Sequence, residues 1–137
     1  MKFKPYEDRR YYNCGGYALN TCTWVNPAIP TLSCRRGEYS NVEDYRKIRA
    51  EMAHNLKVLF PKLREIKKVE DRKKGEWVVA FRAAKDDFHF MVKKFNGCWY
   101  DKRGASREIN RHTEDEVFDR NWYKRYTGKI YLFAYIP

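Results

Sequence analysis

Pro61 divides this chain into two textures. Before it, Val42, Tyr45, Ile48, Met52, Leu56 and Leu59 recur at three- and four-residue intervals. That spacing lines one face of an α-helix and predicts a helix from Val42 to Phe60. Ser40 or Asn41 can cap it, and Glu43 and Asp44 suit the positive end of its dipole. Pro61 ends it, since proline lacks a backbone N–H and disfavours helical geometry in the residue before it. After Pro61 the chain turns to short apolar runs broken by glycine and charge. Helices first and strands in series afterwards predict an α+β fold, with N-terminal helices packed on a mainly antiparallel β-sheet.

The strand candidates follow in order. Leu63 to Val69 is a short one, and Trp77 to Arg82 a strongly apolar one. Asp87 to Lys94 and Cys98 to Lys102 flank Asn96-Gly97, a hairpin signal. Lys129 to Tyr135 reads as a buried strand. Between these, Lys67 to Lys74 is a solvated charge-rich turn, and Gly104 to Arg111 reads as loop. Thr113, with Glu116 three residues on, opens a capped helical turn. Near the start, a first helix is predicted from Cys14 to Trp24, capped by Asn13, with Ala18, Leu19 and Cys22 on its apolar stripe. Pro27 and Pro30 enforce irregular chain up to about Tyr39. There is no internal repeat and no linker, so residues 1–137 are expected to form one domain. A chain of this size buries roughly two-thirds of its unfolded surface, enough for a core without metal or disulfide staples.

Composition excludes several classes. No run of 18 apolar residues exists, so no transmembrane helix and no membrane partner are expected. The basic N-terminus lacks the apolar stretch of a secretion signal, which predicts a cytoplasmic protein with reduced thiols. The four cysteines include no Cys-x-x-Cys pair, which disfavours a zinc ribbon. No phosphate-binding loop and no Gly-x-Gly-x-x-Gly occur. Lys and Arg number 29 against 18 Asp and Glu, a net charge of +11. Such an excess fits an acidic partner, whether nucleic acid, an anionic cell-wall polymer or an acidic protein, and equally fits plain solubility. Aromatics interleave with basic residues at Arg9-Arg10-Tyr11-Tyr12 and at Asn121 to Tyr126, a texture suited to stacking and phosphate contacts.

Three residues are candidates for chemistry. Cys14 stands at the predicted start of the first helix, where unpaired N–H groups favour a thiolate and can receive an oxyanion. Gly15 and Gly16 lack a Cβ, which would let a substrate approach the backbone. The alternative is a buried structural cysteine. His89 lies mid-strand, with Phe88, Phe90 and Val92 on one face and His89, Met91 and Lys93 on the other. A histidine there needs a partner or a task, the simplest partner being a backbone carbonyl. Asp101 follows on the next strand. With a two-residue Asn96-Gly97 turn, Asp101 points away from His89. With a three-residue loop of Phe95, Asn96 and a left-handed Gly97, Met91 faces Asp101, and His89 becomes its diagonal neighbour. Otherwise Asp101 is an exposed edge residue pairing with Lys102 or Arg103. His54 and His112 read as polar surface histidines. A zinc site built from Cys14, His89 and Asp101 is chemically conceivable, but these residues lack paired ligand spacing, and no metal is expected.

The segments Asn-Cys-Gly-Gly-Tyr-Ala-Leu, Asp-Phe-His-Phe and Asn-Gly-Cys-Trp-Tyr-Asp-Lys-Arg-Gly together resemble small papain-like cysteine hydrolases of the NlpC/P60 type. The resemblance covers Tyr12 to Trp24 and Ala80 to Ser106, and Leu132-Phe133-Ala134 also fits it. It implies a papain-like fold and a thiol hydrolase or acyltransferase acting on an amide or isopeptide bond, with no cofactor. In it Cys14 is the nucleophile, His89 the base and then acid, and Asp101 the orienting residue, at a position where similar sequences carry His. Asn13 or the backbone N–H of Cys14 would hold the oxyanion. Tyr12, Gly15 and Gly16 would line a groove for a peptide, protein or peptidoglycan-like substrate. The competing expectation is a non-catalytic basic protein on the same scaffold, engaging nucleic acid or an acidic protein.

Overall fold

A computed structural model describes residues 12–27, 42–83, 88–119 and 129–137. The caps Ser40 and Asn41, the segment from Pro30 to Tyr39 and the aromatic-basic run from Asn121 to Tyr126 lie outside them, as do Arg9, Arg10 and Tyr11. The elements run α1 (Cys14–Ala18), α2 (Val42–Leu59), β1 (Arg64–Ile66), β2 (Trp77–Ala83), β3 (Phe88–Lys93), β4 (Trp99–Lys102), β5 (Ile109–His112), α3 (Glu114–Val117) and β6 (Tyr131–Tyr135). A 3₁₀ turn at Val69–Asp71 sits inside the charge-rich connection. The fold is α+β, with six strands in the order β1-β6-β2-β3-β4-β5. All five pairings are antiparallel. Among the described residues, no helix is long and apolar enough to cross a membrane.

Both faces of the sheet are covered, and strand alternation decides which residues go where. Val79, Phe81, Phe90, Val92, Phe133 and Tyr135 pack with Ala18 and Leu19 after Cys14 and with Met52, Ala53 and Leu56 of α2. Val78, Ala80, Met91, Trp99, Leu132 and Ala134 pack on the other side with Ile66 and Val117. Asn55, buried on α2, donates to the Pro27 carbonyl at 2.8 Å and so fastens the irregular chain after α1 to this helix. The helix ends at Leu59, two residues before Pro61, as the proline requires.

Two expectations fail here. The first helix stops at Ala18 and does not reach Trp24. Asn20 and Cys22 adopt left-handed geometry (φ 56° and 54°), which no continuous right-handed helix accommodates. The Thr21 N–H returns to the Gly16 carbonyl at 3.1 Å, closing the turn. The second failure is the loop expected from Gly104 to Arg111. Its last residues join His112 in β5, an edge strand paired to β4. Asn110, Arg111 and His112 carry no apolar alternation because β5 lies at the rim of the sheet, where Ile109, Asn110 and Arg111 are only half-buried or exposed.

The hairpin between β3 and β4 has the three-residue form. Val92 pairs with Tyr100 and Lys93 with Trp99. The Lys94 N–H bonds the Cys98 carbonyl at 3.2 Å. Gly97, at φ 79°, supplies the left-handed residue.

Candidate active site

Register places the polar groups. On β3 and β4, Asp101 stands opposite Met91, so His89 is its diagonal neighbour on the same face. On β4 and β5, Asn110 stands opposite Asp101 and His112 opposite Trp99, so His112 is the diagonal neighbour on the other side. One polar residue from each of three adjacent strands thus forms an oblique line across an apolar face.

Asp101 is completely buried. Its Oδ2 lies 2.7 Å from His89 Nε2. Its Oδ1 lies 2.8 Å from His112 Nε2, at ion-pair distance but off the line of a well-aligned hydrogen bond. Arg103 Nε is 4.0 Å from Oδ2. Burial pushes the Asp101 carboxyl up, but the bonds and charges of His89 and then His112 outweigh it and hold the group below its ordinary range. Asp101 is therefore a carboxylate, and His89 Nε2–H donates to it.

His89 is buried too. Burial alone would lower its imidazole. Hydrogen bonds to Asp101 and Cys14, together with their charges, reverse this and raise it from 6.5 to about 9. Nε2 is committed to Asp101, which leaves Nδ1 for Cys14. The helix α1 packs on β3 and β4 and carries Cys14 to this ring.

Asn13 builds the turn that presents Cys14. Its Oδ1 accepts from Gly16 N at 3.1 Å and from Val25 N at 3.0 Å. Its Nδ2 donates to the Val25 carbonyl at 2.7 Å. The side chain caps α1 and clamps the returning chain through Oδ1 and one Nδ2 hydrogen.

The roles expected of the glycines and Tyr12 change. A Cβ on Gly15 would stand 2.8 Å from Val25 Cβ and 3.1 Å from the Phe90 ring. One on Gly16 would overlap the Thr23 carbonyl oxygen. Both glycines face inward, and their smallness lets α1 meet the chain beside it rather than a substrate. Tyr12 is 5% exposed, too buried to line an open groove. Its carbonyl accepts from Lys102 Nζ, and the ammonium lies 5.1 Å from the centre of its ring. Alternation sends Lys102 to the face opposite Asp101, where it also bonds the Gly104 carbonyl. Lys102 is thus a fully buried brace for the segment before Cys14, not an ion-pair partner for Asp101.

His112 is the residue the sequence reading undervalued. It is buried, and its Nδ1 lies 3.3 Å from Glu116 Oε2. Glu116 closes the capping box of α3: its Oε1 accepts from Thr113 N at 3.0 Å, while Glu116 N donates to Thr113 Oγ1 at 3.3 Å. The carboxylate that caps the helix also holds the histidine. The signal lay in the adjacency of His112 to Thr113-x-x-Glu116, legible once β5 is recognised as a strand. His54 on α2 is exposed, as expected.

Among the described residues, no three His, Cys, Asp or Glu are placed to hold a metal ion. Compared with protein-family models, with curated proteins and with solved structures, the chain finds no match.

Proposed function

We propose that this protein is a thiol-dependent hydrolase or acyltransferase acting on amide or isopeptide bonds, with Cys14, His89 and Asp101 as a triad on a papain-like scaffold of the NlpC/P60 type. The observation that carries the reading is a buried imidazole with Asp101 on one nitrogen at 2.7 Å and Cys14 against the other. With the Cys14 proton already resting on His89, the Cys14 sulfur attacks the carbonyl carbon of the substrate. The tetrahedral intermediate collapses as His89 returns that proton to the leaving amine, and the acyl group stays on sulfur. Water, or a second amine, then attacks the thioester with His89 as base and frees Cys14. Asp101 holds the ring in the tautomer this sequence needs and offsets the imidazolium charge. The oxyanion falls to the backbone N–H of Cys14 or to the second Nδ2 hydrogen of Asn13. A peptide, protein or peptidoglycan-like substrate suits this chemistry.

The test is the alkylation rate of each cysteine, mapped by mass spectrometry from about pH 5 to about pH 9, in wild type and His89→Ala. Cys14 is expected to react faster than Cys22 and Cys98 and to lose that advantage without His89. Equal rates in both proteins would sink the hydrolase. Salt-dependent binding to nucleic acid or an acidic protein would then become the reading to pursue.

A further inference from the structure

We propose that His112 is a positioning residue of this site: from β5 it fixes the second oxygen of Asp101, and Glu116 fixes His112 through the cap of α3. The inference rests on the Cys14–His89–Asp101 reading and extends it by two residues.

A carboxylate has two equivalent oxygens and one torsion that exchanges them. In Asp101 only Oδ2 serves His89. Oδ1 is equally buried, and a buried carboxylate oxygen without a cation or donor is costly. His112 Nε2, 2.8 Å away at ion-pair distance, is the group placed to serve that oxygen and to resist rotation of the carboxylate. The ring is steadied from behind by Glu116, itself held by Thr113 N and by Thr113 Oγ1 at 3.1 Å. Among the described residues, the charged neighbours include Arg82, which is buried directly opposite His89 on β2 and donates to the Val117 carbonyl at 3.1 Å and to the Asp119 carbonyl. Asp101 faces His89, His112 and Arg103. His112 faces Asp101 and Glu116, and Glu114 reaches its cross-strand neighbour Trp99 at 3.4 Å while pairing with Lys93 at 3.3 Å. A line of contacts runs from half-exposed Glu116 through His112, Asp101 and His89 to Cys14. Loss of His112 strands Oδ1, makes the Asp101 charge harder to keep and weakens its grip on the His89 proton.

The experiment reads the His89 ring protonation midpoint by NMR beside the pH profile of Cys14 alkylation. The variants are His112→Phe, His112→Gln and Glu116→Gln. Phenylalanine keeps a ring and removes both nitrogens. Glutamine at 112 keeps an N–H for Asp101. Glutamine at 116 keeps the helix cap and gives His112 a weaker acceptor. His112→Phe is expected to lower the His89 midpoint by about one pH unit or more and to slow Cys14 alkylation near neutral pH. His112→Gln should restore most of that shift, and Glu116→Gln should give a smaller shift in the same direction. An unchanged midpoint in a folded His112→Phe protein overturns the proposal. Should that variant not fold, an unchanged midpoint in Glu116→Gln overturns it. If wild-type Cys14 proves indifferent to His89→Ala, the hydrolase fails, while the His89 midpoint still reports what His112 does to Asp101.

Discussion

At the scale of single residues, this site is an exercise in satisfying buried charge. His89 holds its proton to about pH 9 because two neighbours outweigh the cost of burial. The consequence for stability has a definite sign. A raised histidine stabilises the fold fully below its ordinary 6.5, and that contribution is lost as pH climbs through about 9. Asp101, being depressed, contributes above its ordinary 3.8, and that is lost as pH falls below it. Unfolding free energy should therefore fall on both sides of a plateau between those ordinary values. Asp101→Asn is expected to flatten the alkaline decline and move the His89 midpoint back toward 6.5. Activity against an amide substrate should drop by roughly 10²–10⁴-fold. Denaturant titrations at several pH values, beside the His89 midpoint, check both. A midpoint still near 9 would show that Cys14 alone holds the His89 proton. The residues themselves announced this much: a cysteine before two glycines, a histidine in an apolar strand and an aspartate twelve positions on. Their context hid the rest, for Asn13, Gly15 and Gly16 are small or polar for reasons of packing against Val25 and Thr23.

At the scale of elements, the hairpin between β3 and β4 brings His89 and Asp101 together. Its three-residue loop sets a register in which Asp101 and His89 share a face, and a slip of one residue would turn Asp101 to the other side. Phe95 is 62% exposed and touches Trp77 edge-on, with ring centres 5.9 Å apart. Deleting Phe95 leaves a two-residue Asn96-Gly97 turn that still pairs Lys94 with Cys98, so His89 and Asp101 should stay together. Deleting Cys98 instead shifts every pair by one and should separate them. Rapid, His89-dependent alkylation of Cys14 is expected to survive the first deletion and vanish in the second. The reverse result would mean that something other than the turn sets the register. Long periodic or strongly apolar elements were legible from the sequence: α2, β2, β3 and β6 match within a residue or two. The short polar β5 was not, because an edge strand has no need of alternation. With β5 went His112, whose meaning depends entirely on the strand beside it.

At the scale of the whole molecule, the sheet is stitched from distant parts of the chain. β6 lies between β1 and β2, and all five of its residues are buried. Tyr135 donates its hydroxyl to the Ala18 carbonyl, tying this strand to the end of α1, the helix that begins at Cys14. Burial, with some contribution from Tyr17, pushes that phenol well above its ordinary range, so it stays a donor at any working pH. Tyr135→Phe should cost about 1–2 kcal/mol by leaving a buried carbonyl unpartnered. A thermal melt reads that cost, and a melt unchanged from wild type would mean that the carbonyl finds another donor. Helices before strands gave the α+β class, but which strands become neighbours is a matter of three-dimensional closure that no local pattern records. The interior place of β6 also orders events during synthesis. Until residues 131–135 leave the ribosome, β1 and β2 have open edges and α1 lacks its anchor. The pairing of Cys14 with His89 and Asp101 thus lacks its full support until nearly the whole described chain has been made.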